Sequence, residues 1–464
     1  MEQLSRFIFD AYAWDPNSAT VTLRYRLDDA VEFTETLQFP KRGLKSQDMS
    51  EELLDRALFM LHLIGGMSYY KTCCPKEIVI RSGSLSPAEA AFWNEVYTAG
   101  LGQFFFENSL DFRGLINFPV SKAEGTPQIL PFTTATEHVL VPLGGGKDSV
   151  VTTELLRAAK VPCVLLRMNS HPLITACAEK LAYPLMAVER TLSPRLFELN
   201  AQGAQNGHVP ITAYVSTLSL LTALLYGYKA VVMSNERSAN IGSTMYMGRE
   251  VNHQWSKSLE CERLFQQYIK TFITPDVAVF SLLRPLSELH IAKLFCDFPQ
   301  YLGVTTSCNA NWKIATAPES GKQPPEVRSP KSEVRTWCSS CPKCAFVFAT
   351  MSAFLPKAEL LRTFGKNLFE KETLLPLYRK LMGIEGIKPF ECVGAPAEVH
   401  AALLLARSRG EYNDTLVMQL FLREVLPTIS DIRATVESLF TPSPEHCIPP
   451  GYSTIVPPNI SVEF

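Results

Sequence analysis

The chain has 464 residues, of which 46% are hydrophobic and 19% are charged, and its formal net charge is -2. This length predicts roughly two to four domains, and the composition excludes an intrinsically disordered protein. The near-neutral charge argues against a nucleic-acid surface or a polybasic membrane patch, so we expect neither partner.

The N-terminus and the apolar runs give no sign of export or of membrane insertion. The first residues, MEQLSRFIFDAYAWD, include the acidic Glu2 and Asp10 and no long apolar run, unlike a signal peptide. The longest apolar stretch, ALFMLHLIGGM, is too short to span a bilayer. Twelve cysteines in such a chain predict reduced thiols, some of them metal ligands, and a cytoplasmic location.

Residues 1–130 begin with three strand-like runs, RFIFDAYAW, TVTLRYRLD and VEFTETLQF. Two helical stretches follow, EELLDRALFMLHLIGG and SPAEAAFWNEVYTAGLGQFFFEN. Ser86 is a suitable N-cap for the second stretch, with Pro87 at its first helical position. The pattern predicts a small α+β domain, which we expect to cover the substrate.

Residues 131–350 alternate between short apolar runs and helical stretches, as in EHVLVPL before DSVVTTELLRAAK and VPCVLLR before PLITACAEKLAY. PLMAVER, KAVVMS and VAVFSLL continue the strand pattern, and TAYVSTLSLLTALLYGY continues the helical one. The alternation predicts βαβ units and an α/β fold with a parallel sheet covered on both faces. Ligands of such sheets bind beyond the carboxyl ends of the strands, where GGGKDS, RMNSH, SNERSAN and RPLSE fall.

Residues 351–464 are predicted to be mostly helical. They end in TPSPEHCIPPGYSTIVPPNISVEF, whose six prolines predict an extended tail that lies on the surface or in a cleft. Just before this region, the polar and proline-rich segment TAPESGKQPPEVRSPKSE is typical of a mobile loop.

The segment VLVPLGGGKDSVVT, residues 139–152, predicts a strand, a glycine turn and a helix start. The turn consists of Gly144, Gly145 and Gly146. Such a turn lets the backbone approach a phosphate, which the N–H groups and dipole of the helix N-terminus attract. Lys147 would add charge and Ser149 a hydroxyl group. The spacing fits neither the Walker A pattern, since Asp148 separates these two residues, nor the GxGxxG fingerprint.

GGGKDS resembles the SGGxDS signature of the PP-loop ATP pyrophosphatases, which include GMP synthetases, argininosuccinate synthases, tRNA thiolases and cyano-deazaguanine synthases. The resemblance implies an adenine-nucleotide alpha-hydrolase-like core that splits ATP between its α- and β-phosphates and forms an adenylate. It places Asp148 near the magnesium-bound phosphates. Gly144 stands where the signature has its first serine, so one hydroxyl ligand is missing. The resemblance also assigns nucleotide or acceptor contacts to Asn169, Asn235, Glu236 and Arg284.

Four cysteines are spaced as metal ligands: Cys308, Cys338, Cys341 and Cys344. Three of them follow one another at intervals of two residues in WCSSCPKCAF, and the fourth lies in TTSCNANW. Four thiolates at such positions suit tetrahedral zinc, and an iron–sulfur cluster is the competing interpretation. The cyano-deazaguanine synthases carry a similar arrangement and bind zinc there, so this resemblance favours structural zinc.

Further segments together resemble the bacterial UDP-N-acetylmuramoyl-L-alanyl-L-glutamate epimerases (MurL-type) of peptidoglycan synthesis. They are PLGGGKDS, SNERSANIGS, VNHQWSKS, SLLRPLSELHIAKLF, WCSSCPKCAFVF and GIKPFECVG, and the resemblance extends to about residue 425. It implies a UDP-linked muramoyl dipeptide as substrate, ATP and Mg²⁺ as requirements, and AMP and diphosphate as products. Two alternatives stay open: a cyano-deazaguanine synthase-like ligase and a non-catalytic nucleotide-binding sensor.

Inverting a glutamate α-carbon needs groups that remove and return a proton. The hydrogen beside a carboxylate is hard to remove because a second negative charge must build up next to the first, and adenylation removes this obstacle. We expect the proton carriers near the carboxyl edge of the sheet or on a domain covering it. By residue type, the candidates for catalytic groups are His208, His253, Glu391 and Cys392, together with Asp148 on the phosphate side.

Overall fold

The structure is a computed structural model that describes residues 4–121, 129–311 and 336–462. Its strands are β1 (Arg6–Asp15), β2 (Thr20–Leu27), β3 (Val31–Gln38), β4 (Glu77–Ile80), β5 (Val139–Pro142), β6 (Cys163–Met168), β7 (Leu185–Thr191), β8 (Ala230–Met233), β9 (Thr244–Tyr246), β10 (Arg249–Val251) and β11 (Ala278–Ser281). The predicted runs of residues 1–130 and 131–350 are therefore confirmed as strands.

The helices alternate with the strands in the middle of the chain and dominate its C-terminal part. They are α1 (Glu51–Tyr70), α2 (Pro87–Gly100), α3 (Gly102–Glu107), α4 (Lys147–Ala158), α5 (Pro172–Leu181), α6 (Pro194–Ala201), α7 (Ile211–Tyr226), α8 (Leu259–Tyr268), α9 (Glu288–Cys296), α10 (Pro342–Ser352), α11 (Lys357–Phe364), α12 (Leu375–Leu381), α13 (Pro396–Ser408), α14 (Leu416–Glu424), α15 (Ile432–Phe440) and α16 (Pro450–Ser453). At the start of α2, Ser86 and Glu89 form a capping box with Pro87 at the first position, as the sequence predicts.

Nine strands form a single sheet in the order β11-β8-β5-β6-β7-β3-β2-β1-β4. The first five strands of this order are parallel to one another, which confirms the predicted α/β class. Strand β3 pairs with β7 in the antiparallel direction, so the N-terminal strands extend the parallel sheet. The sequence predicts a separate N-terminal domain, and the structure joins that region to the next through this strand pair.

Apolar residues of the parallel strands alternate between two hydrophobic cores, one on each face of the sheet. In β5, Leu140 packs into the core that contains α1 and α7, whereas Val139 and Val141 pack into the core that contains α4, α9 and α10. Successive side chains of a strand point to opposite faces, so a short apolar run with helices on both sides is buried completely.

The junction between β3 and β7 holds a buried ion pair. Glu35, completely buried, accepts hydrogen bonds from the guanidinium of Arg190 at 2.8 and 3.0 Å. The hydroxyl groups of Tyr69 and Tyr214 donate to the same carboxylate at 2.8 and 2.7 Å. Every oxygen of this carboxylate is thus hydrogen-bonded, which a charge needs in order to be buried without a large penalty.

The C-terminal tail packs along the edge of the sheet formed by β11. The ring of Tyr452 lies 4.8 Å from that of Phe280, and the backbone oxygen of Cys447 accepts a hydrogen bond from Gln266. Apart from the short helix α16, residues 441–462 contain no helix or strand, in agreement with the predicted extended tail. The segment TAPESGKQPPEVRSPKSE lies outside the described residues. No helix in the described part of the chain combines the length and apolar character needed to cross a bilayer.

Candidate active site

A cavity of about 260 Å³ lies at the carboxyl ends of β5 and β8, whose last residues, Pro142 and Met233, both line it. It therefore lies at the edge of the sheet that the βαβ pattern predicts for a ligand. The charged, hydroxyl and thiol side chains among its lining residues are Lys147, Asp148, Ser149, Thr212, Ser234, Lys257, Glu288, Thr306, Ser307, Lys343 and Cys392.

The glycine turn forms one wall of the cavity. Gly144 and Gly146 line it directly. Gly145 has a φ of 77°, in the left-handed region where a side chain would strain the backbone, and its carbonyl oxygen accepts a hydrogen bond from the N–H of Thr306 at 2.9 Å. Gly146 is the N-cap of α4 and provides no side chain to cap it. The first N–H groups of α4 thus lie beside the cavity, an arrangement suited to an anion.

The polar side chains of GGGKDS all line the cavity, and two of them are also held by contacts within the protein. Lys147 is buried, and its ammonium group forms ion pairs with Asp148 and Glu288. Burial opposes the charge of Lys147, but the two carboxylates outweigh burial and raise its pKa. Ser149 donates from its hydroxyl group to the backbone oxygen of Gly146 at 3.1 Å. The loop therefore anchors its own lysine in the protein and presents backbone N–H groups and Asp148 to the cavity.

Three carboxylates converge behind the glycine turn. An oxygen atom from each of Asp148, Glu236 and Glu288 lies within 4.8 Å of the others. Glu236 is almost completely buried, and its Oε1 atom has no hydrogen-bond partner among the described residues. Burial raises the pKa of both Glu236 and Glu288. A group of oxygen ligands that includes an unpaired buried carboxylate suits a hard divalent cation such as Mg²⁺.

Arg284 supports this region without being one of the described residues that line the cavity. It is completely buried, and it donates to Glu262 at 2.8 Å, to the backbone oxygen of Glu236 at 2.5 Å and to the backbone oxygen of Lys257. All of its nitrogen atoms are thus used within the protein. Arg284 fixes the positions of Glu236 and Lys257, whereas the sequence predicts a direct phosphate contact.

Cys392 contributes a thiol to the cavity lining, near the ammonium groups of Lys257 and Lys343. Burial alone would raise the pKa of Cys392, but the two lysines outweigh burial and lower this pKa below the ordinary thiol value. Among the candidates that the sequence provides for proton transfer, Cys392 and Asp148 are the ones found among the lining residues.

The remaining candidates lie around Cys392. The Nε2 atom of His253 is 3.7 Å from its Sγ atom, and the ring of His208 lies 4.7 Å from the ring of His253. Burial lowers the pKa of both histidines to about 3, so both rings are neutral at physiological pH. Glu391 is the neighbour of Cys392 in the chain, and its carboxylate accepts a hydrogen bond from the side chain of Asn309.

Two asparagines predicted from the strand ends have different surroundings. Asn235, after β8, lines the cavity, and its backbone oxygen accepts a hydrogen bond from the hydroxyl group of Ser281 at 2.6 Å. Asn169, after β6, has a φ of 62° and accepts a hydrogen bond from the N–H of Arg190 at 2.6 Å. Asn169 therefore shapes the turn after its strand and is not among the described cavity residues.

The four predicted metal ligands form one cluster. Their Sγ atoms all lie within 4.8 Å of one another, with separations of 3.9 Å for Cys308–Cys341, 3.6 Å for Cys338–Cys344 and 3.5 Å for Cys341–Cys344. Four sulfurs that surround zinc at about 2.3 Å are about 3.8 Å apart in a tetrahedron. The residues therefore fit a tetrahedral thiolate site.

The cysteine cluster adjoins the cavity. Ser307 precedes one ligand, Cys308, and Lys343 precedes another, Cys344, and both side chains line the cavity. The same segment is tied to the glycine turn through the bond between Thr306 and Gly145. The cluster thus lies next to two cavity residues and to the wall of the cavity that the glycine turn forms.

Sequence reasoning missed three charged residues of the cavity as individual site residues: Lys257, Glu288 and Lys343. Glu288 follows a strand end in RPLSE, and Lys343 lies between two cysteines of the cluster. Their positions along the chain could therefore have identified both as site residues. Lys257 lies in a short helical turn, Trp255–Lys257, and only the fold brings its side chain to Cys392.

Two family models match this chain. One, described as the MurL N-terminal domain, matches residues 1–282, and the other, described as the MurL C-terminal domain, matches residues 304–435. The chain belongs to the MurL family. The boundary between the two models lies within residues 131–350, which the sequence predicts as one domain. The division of the chain at residues 130 and 350 stays a prediction.

Three MurL-family relatives are named UDP-N-acetyl-alpha-D-muramoyl-L-alanyl-L-glutamate epimerase. The protein from Xanthomonas oryzae pv. oryzae is 39% identical over 99% of this chain and 98% of its own length. Those from Micromonospora sp. and Salinispora tropica are 37% and 36% identical, over 97% of this chain and 98% and 96% of their own lengths. The resemblance to the UDP-N-acetylmuramoyl-L-alanyl-L-glutamate epimerases that the sequence predicts is confirmed. Since epimerases are isomerases, membership of the MurL family makes this chain an enzyme of that class.

Proposed function

We propose that this MurL-family enzyme converts the terminal L-glutamate of UDP-N-acetylmuramoyl-L-alanyl-L-glutamate into D-glutamate, with consumption of ATP. In this proposal the enzyme activates a glutamate carboxylate as an acyl-adenylate and releases AMP and diphosphate. The names of the relatives support the substrate and the inversion. The strand–GGGKDS–helix arrangement and its resemblance to PP-loop ATP pyrophosphatases support the use of ATP.

One observation carries the proposal: a single cavity contains both the glycine turn and the thiol of Cys392. Activation and proton removal take place on neighbouring atoms of the same glutamate residue. The anion-binding wall and the base must therefore face one bound substrate. Two separate sites would require the activated intermediate to leave the protein between the two steps.

The charged groups of the cavity suit the chemistry of an activated carboxyl group. When the α-proton leaves, negative charge moves onto the carbonyl oxygen of the adenylate. The ammonium groups of Lys257 and Lys343 lie in the same cavity and can stabilise that charge. Burial opposes the charge of Lys257, but Cys392 and Glu236 raise its pKa, so this ammonium group stays protonated.

Cys392 is the side chain we assign to proton transfer at the α-carbon. The carboxylates Asp148 and Glu288 are engaged by Lys147, whereas the thiol of Cys392 faces two cations that favour its thiolate form. A thiolate is a base of suitable strength when its pKa is lowered toward neutrality. A second carrier must act on the opposite face of the α-carbon to complete the inversion.

Asp148, Glu236 and Glu288 would hold Mg²⁺ beside the phosphates of ATP. The fit rests on the unpaired buried oxygen of Glu236 and on the all-oxygen ligand set. When bound, the cation supplies positive charge that neutralises the phosphates and the departing diphosphate. The protein's own part is to orient these carboxylates, which the ion pairs of Lys147 and the hydrogen bonds of Arg284 accomplish.

Turnover in heavy water tests the proposed reaction. We expect deuterium at the α-carbon of the product D-glutamyl residue, with AMP and diphosphate formed together with the inverted product. Two carriers on opposite faces predict little deuterium in unreacted substrate, whereas a single mobile base would label the substrate as well. Mass spectrometry of substrate and product, with chiral analysis of the glutamate, gives both measurements.

Two control reactions make this test decisive. The same enzyme without ATP should give no inversion, and with the dipeptide carrying L-aspartate in place of L-glutamate it should give much less diphosphate. Inversion without ATP, or a product free of solvent deuterium, would refute the adenylate mechanism.

We further propose that the cysteine cluster binds structural zinc and thereby holds Ser307 and Lys343 at the cavity. Elemental analysis should find about one zinc per chain. Cys341→Ser should lose the metal and lower the Tm by several degrees, because structural zinc contributes directly to folding. Cys447→Ser, at a half-buried thiol outside the cluster, is the matched control and should keep the metal and the wild-type Tm. A brown protein that contains iron and sulfide would contradict zinc.

A further inference from the structure

A chain of hydrogen bonds leads from Cys392 to the protein surface through residues that the proposed reaction does not yet use. The Nε2 atom of His253 lies 3.7 Å from the Sγ atom of Cys392. On the other side of the ring, Nδ1 lies 2.5 Å from the Oε1 atom of Gln103, a buried residue of α3. The Nε2 atom of Gln103 in turn donates to the exposed carboxylate of Glu107 at 3.0 Å.

The chemistry of these groups determines which atom of His253 carries the proton. An ionised carboxylate only accepts hydrogen bonds, so the amide group of Gln103 must turn its NH₂ toward Glu107. Its oxygen atom then faces Nδ1 of His253, and an amide oxygen also only accepts. Nδ1 must therefore carry a hydrogen.

A neutral imidazole carries a single proton, so its other nitrogen is an acceptor. Burial lowers the pKa of His253 to about 3, which keeps this ring neutral at physiological pH. With Nδ1 protonated, the lone pair of Nε2 points to the thiol of Cys392. The opposite tautomer would present an N–H group to the S–H group and would leave the thiol proton without an acceptor.

We propose that Gln103 and Glu107 are positioning residues that fix His253 in its Nδ1–H tautomer, so that Nε2 is the hydrogen-bond acceptor for the thiol of Cys392. This inference rests on the proposed function, in which Cys392 takes the α-proton. The thiolate of Cys392, which the neighbouring ammonium groups favour, takes the α-proton, and the electron pair of the C–H bond moves onto the activated carbonyl group. The S–H bond that forms donates its hydrogen bond to Nε2, and the imidazole ring stays neutral.

The location of Glu107 allows the polarity of the relay to be reversed without disturbing the core. In Glu107→Lys, an ammonium group replaces the carboxylate, so the amide of Gln103 should turn its oxygen outward and its NH₂ toward Nδ1. His253 should then carry its proton on Nε2. In Glu107→Gln, an oxygen acceptor is retained, and the wild-type tautomer should persist. Both changes are at an exposed side chain, so both proteins should fold.

The tautomer can be measured directly from ¹⁵N chemical shifts of ¹⁵N-histidine-labelled full-length protein, with the signals of His253 assigned by comparison with His253→Asn. We expect protonated Nδ1 and unprotonated Nε2 in the wild type and in Glu107→Gln, and the reverse in Glu107→Lys. In the same proteins, α-proton exchange with heavy water should fall on the order of a hundredfold in Glu107→Lys. Diphosphate formation should be unchanged, since the relay acts after activation.

Gln103→Met is a second variant, which removes the acceptor for Nδ1–H with little change in side-chain volume. It should give a mixture of tautomers and slow exchange. Protonated Nε2 in the wild type, or wild-type exchange in Glu107→Lys despite a reversed tautomer, would overturn the inference. A wild-type enzyme that forms no diphosphate from ATP would instead overturn the proposed function, and the tautomer measurement would still decide the relay.

Discussion

Asp148→Asn should reduce diphosphate formation from ATP by on the order of a thousandfold and leave the fold intact, because one charge is lost next to the turn that we propose binds phosphate. The carboxylate of Asp148 lines the cavity, pairs with Lys147 and belongs to the three-carboxylate group. The amide keeps the size of the side chain and one oxygen atom. The loss would therefore come from charge. The measurement is the release of diphosphate with substrate and ATP, together with the Tm.

A matched control for Asp148→Asn lies directly after α9. Asp297 is an exposed carboxylate that pairs with Lys293, and Asp297→Asn should retain wild-type activity. Ser149→Ala should also impair diphosphate formation, since it removes a hydroxyl group from the first turn of α4. If Asp148→Asn and Ser149→Ala both turn over at a normal rate, the glycine turn does not bind the phosphates of ATP.

Cys392→Ala should abolish inversion and α-proton exchange while diphosphate is still formed in the presence of ATP and substrate. The reason is that, in the proposed reaction, Cys392 acts on the α-carbon only after the carboxyl group has been activated. General-base catalysis contributes roughly 10²–10⁴-fold, and we expect a loss of at least this size. Deuterium incorporation into the glutamyl residue, followed in parallel with diphosphate release, separates the two steps.

The control for Cys392→Ala is Cys73→Ala, at a half-buried thiol that is not among the described residues lining the cavity. It should retain both steps. Cys392→Ser, with a hydroxyl group of much higher pKa, should resemble Cys392→Ala. If inversion persists in Cys392→Ala at the wild-type rate, another residue takes the α-proton, and the assignment of Cys392 is wrong.

Sequence patterns predicted the parts of this site that depend on local spacing. The parallel sheet could be predicted from the alternation of strands and helices. A strand that is buried on both faces, such as β5, appears in the sequence as a short run of apolar residues. The glycine turn could be predicted because glycine is favoured wherever the backbone is left-handed, as it is at Gly145. The cysteine cluster could be predicted because three of its members lie close together in the chain, within residues 338–344.

Contacts between distant segments could not be predicted in this way. The meeting of Gln103 with His253 joins α3 to a loop 150 residues later, and neither residue belongs to a spacing pattern. Arg284 has the charge of a phosphate ligand, and only the fold shows that its guanidinium is buried and bound to Glu262 and to two backbone oxygens. Likewise, alternation identifies β3 and β7 as strands but does not show that they are neighbours.

The antiparallel pairing of β3 with β7 determines how this protein can be divided. Removing the first 130 residues would leave β7 with an open edge and Arg190 with a buried charge that has lost its carboxylate partner. Breaking a buried pair on one side costs about 3–5 kcal/mol, a large share of the stability of a typical domain. The N-terminal strands and the parallel strands should therefore unfold together as one cooperative unit. During evolution, the N-terminal strands could be exchanged only together with a matching β7.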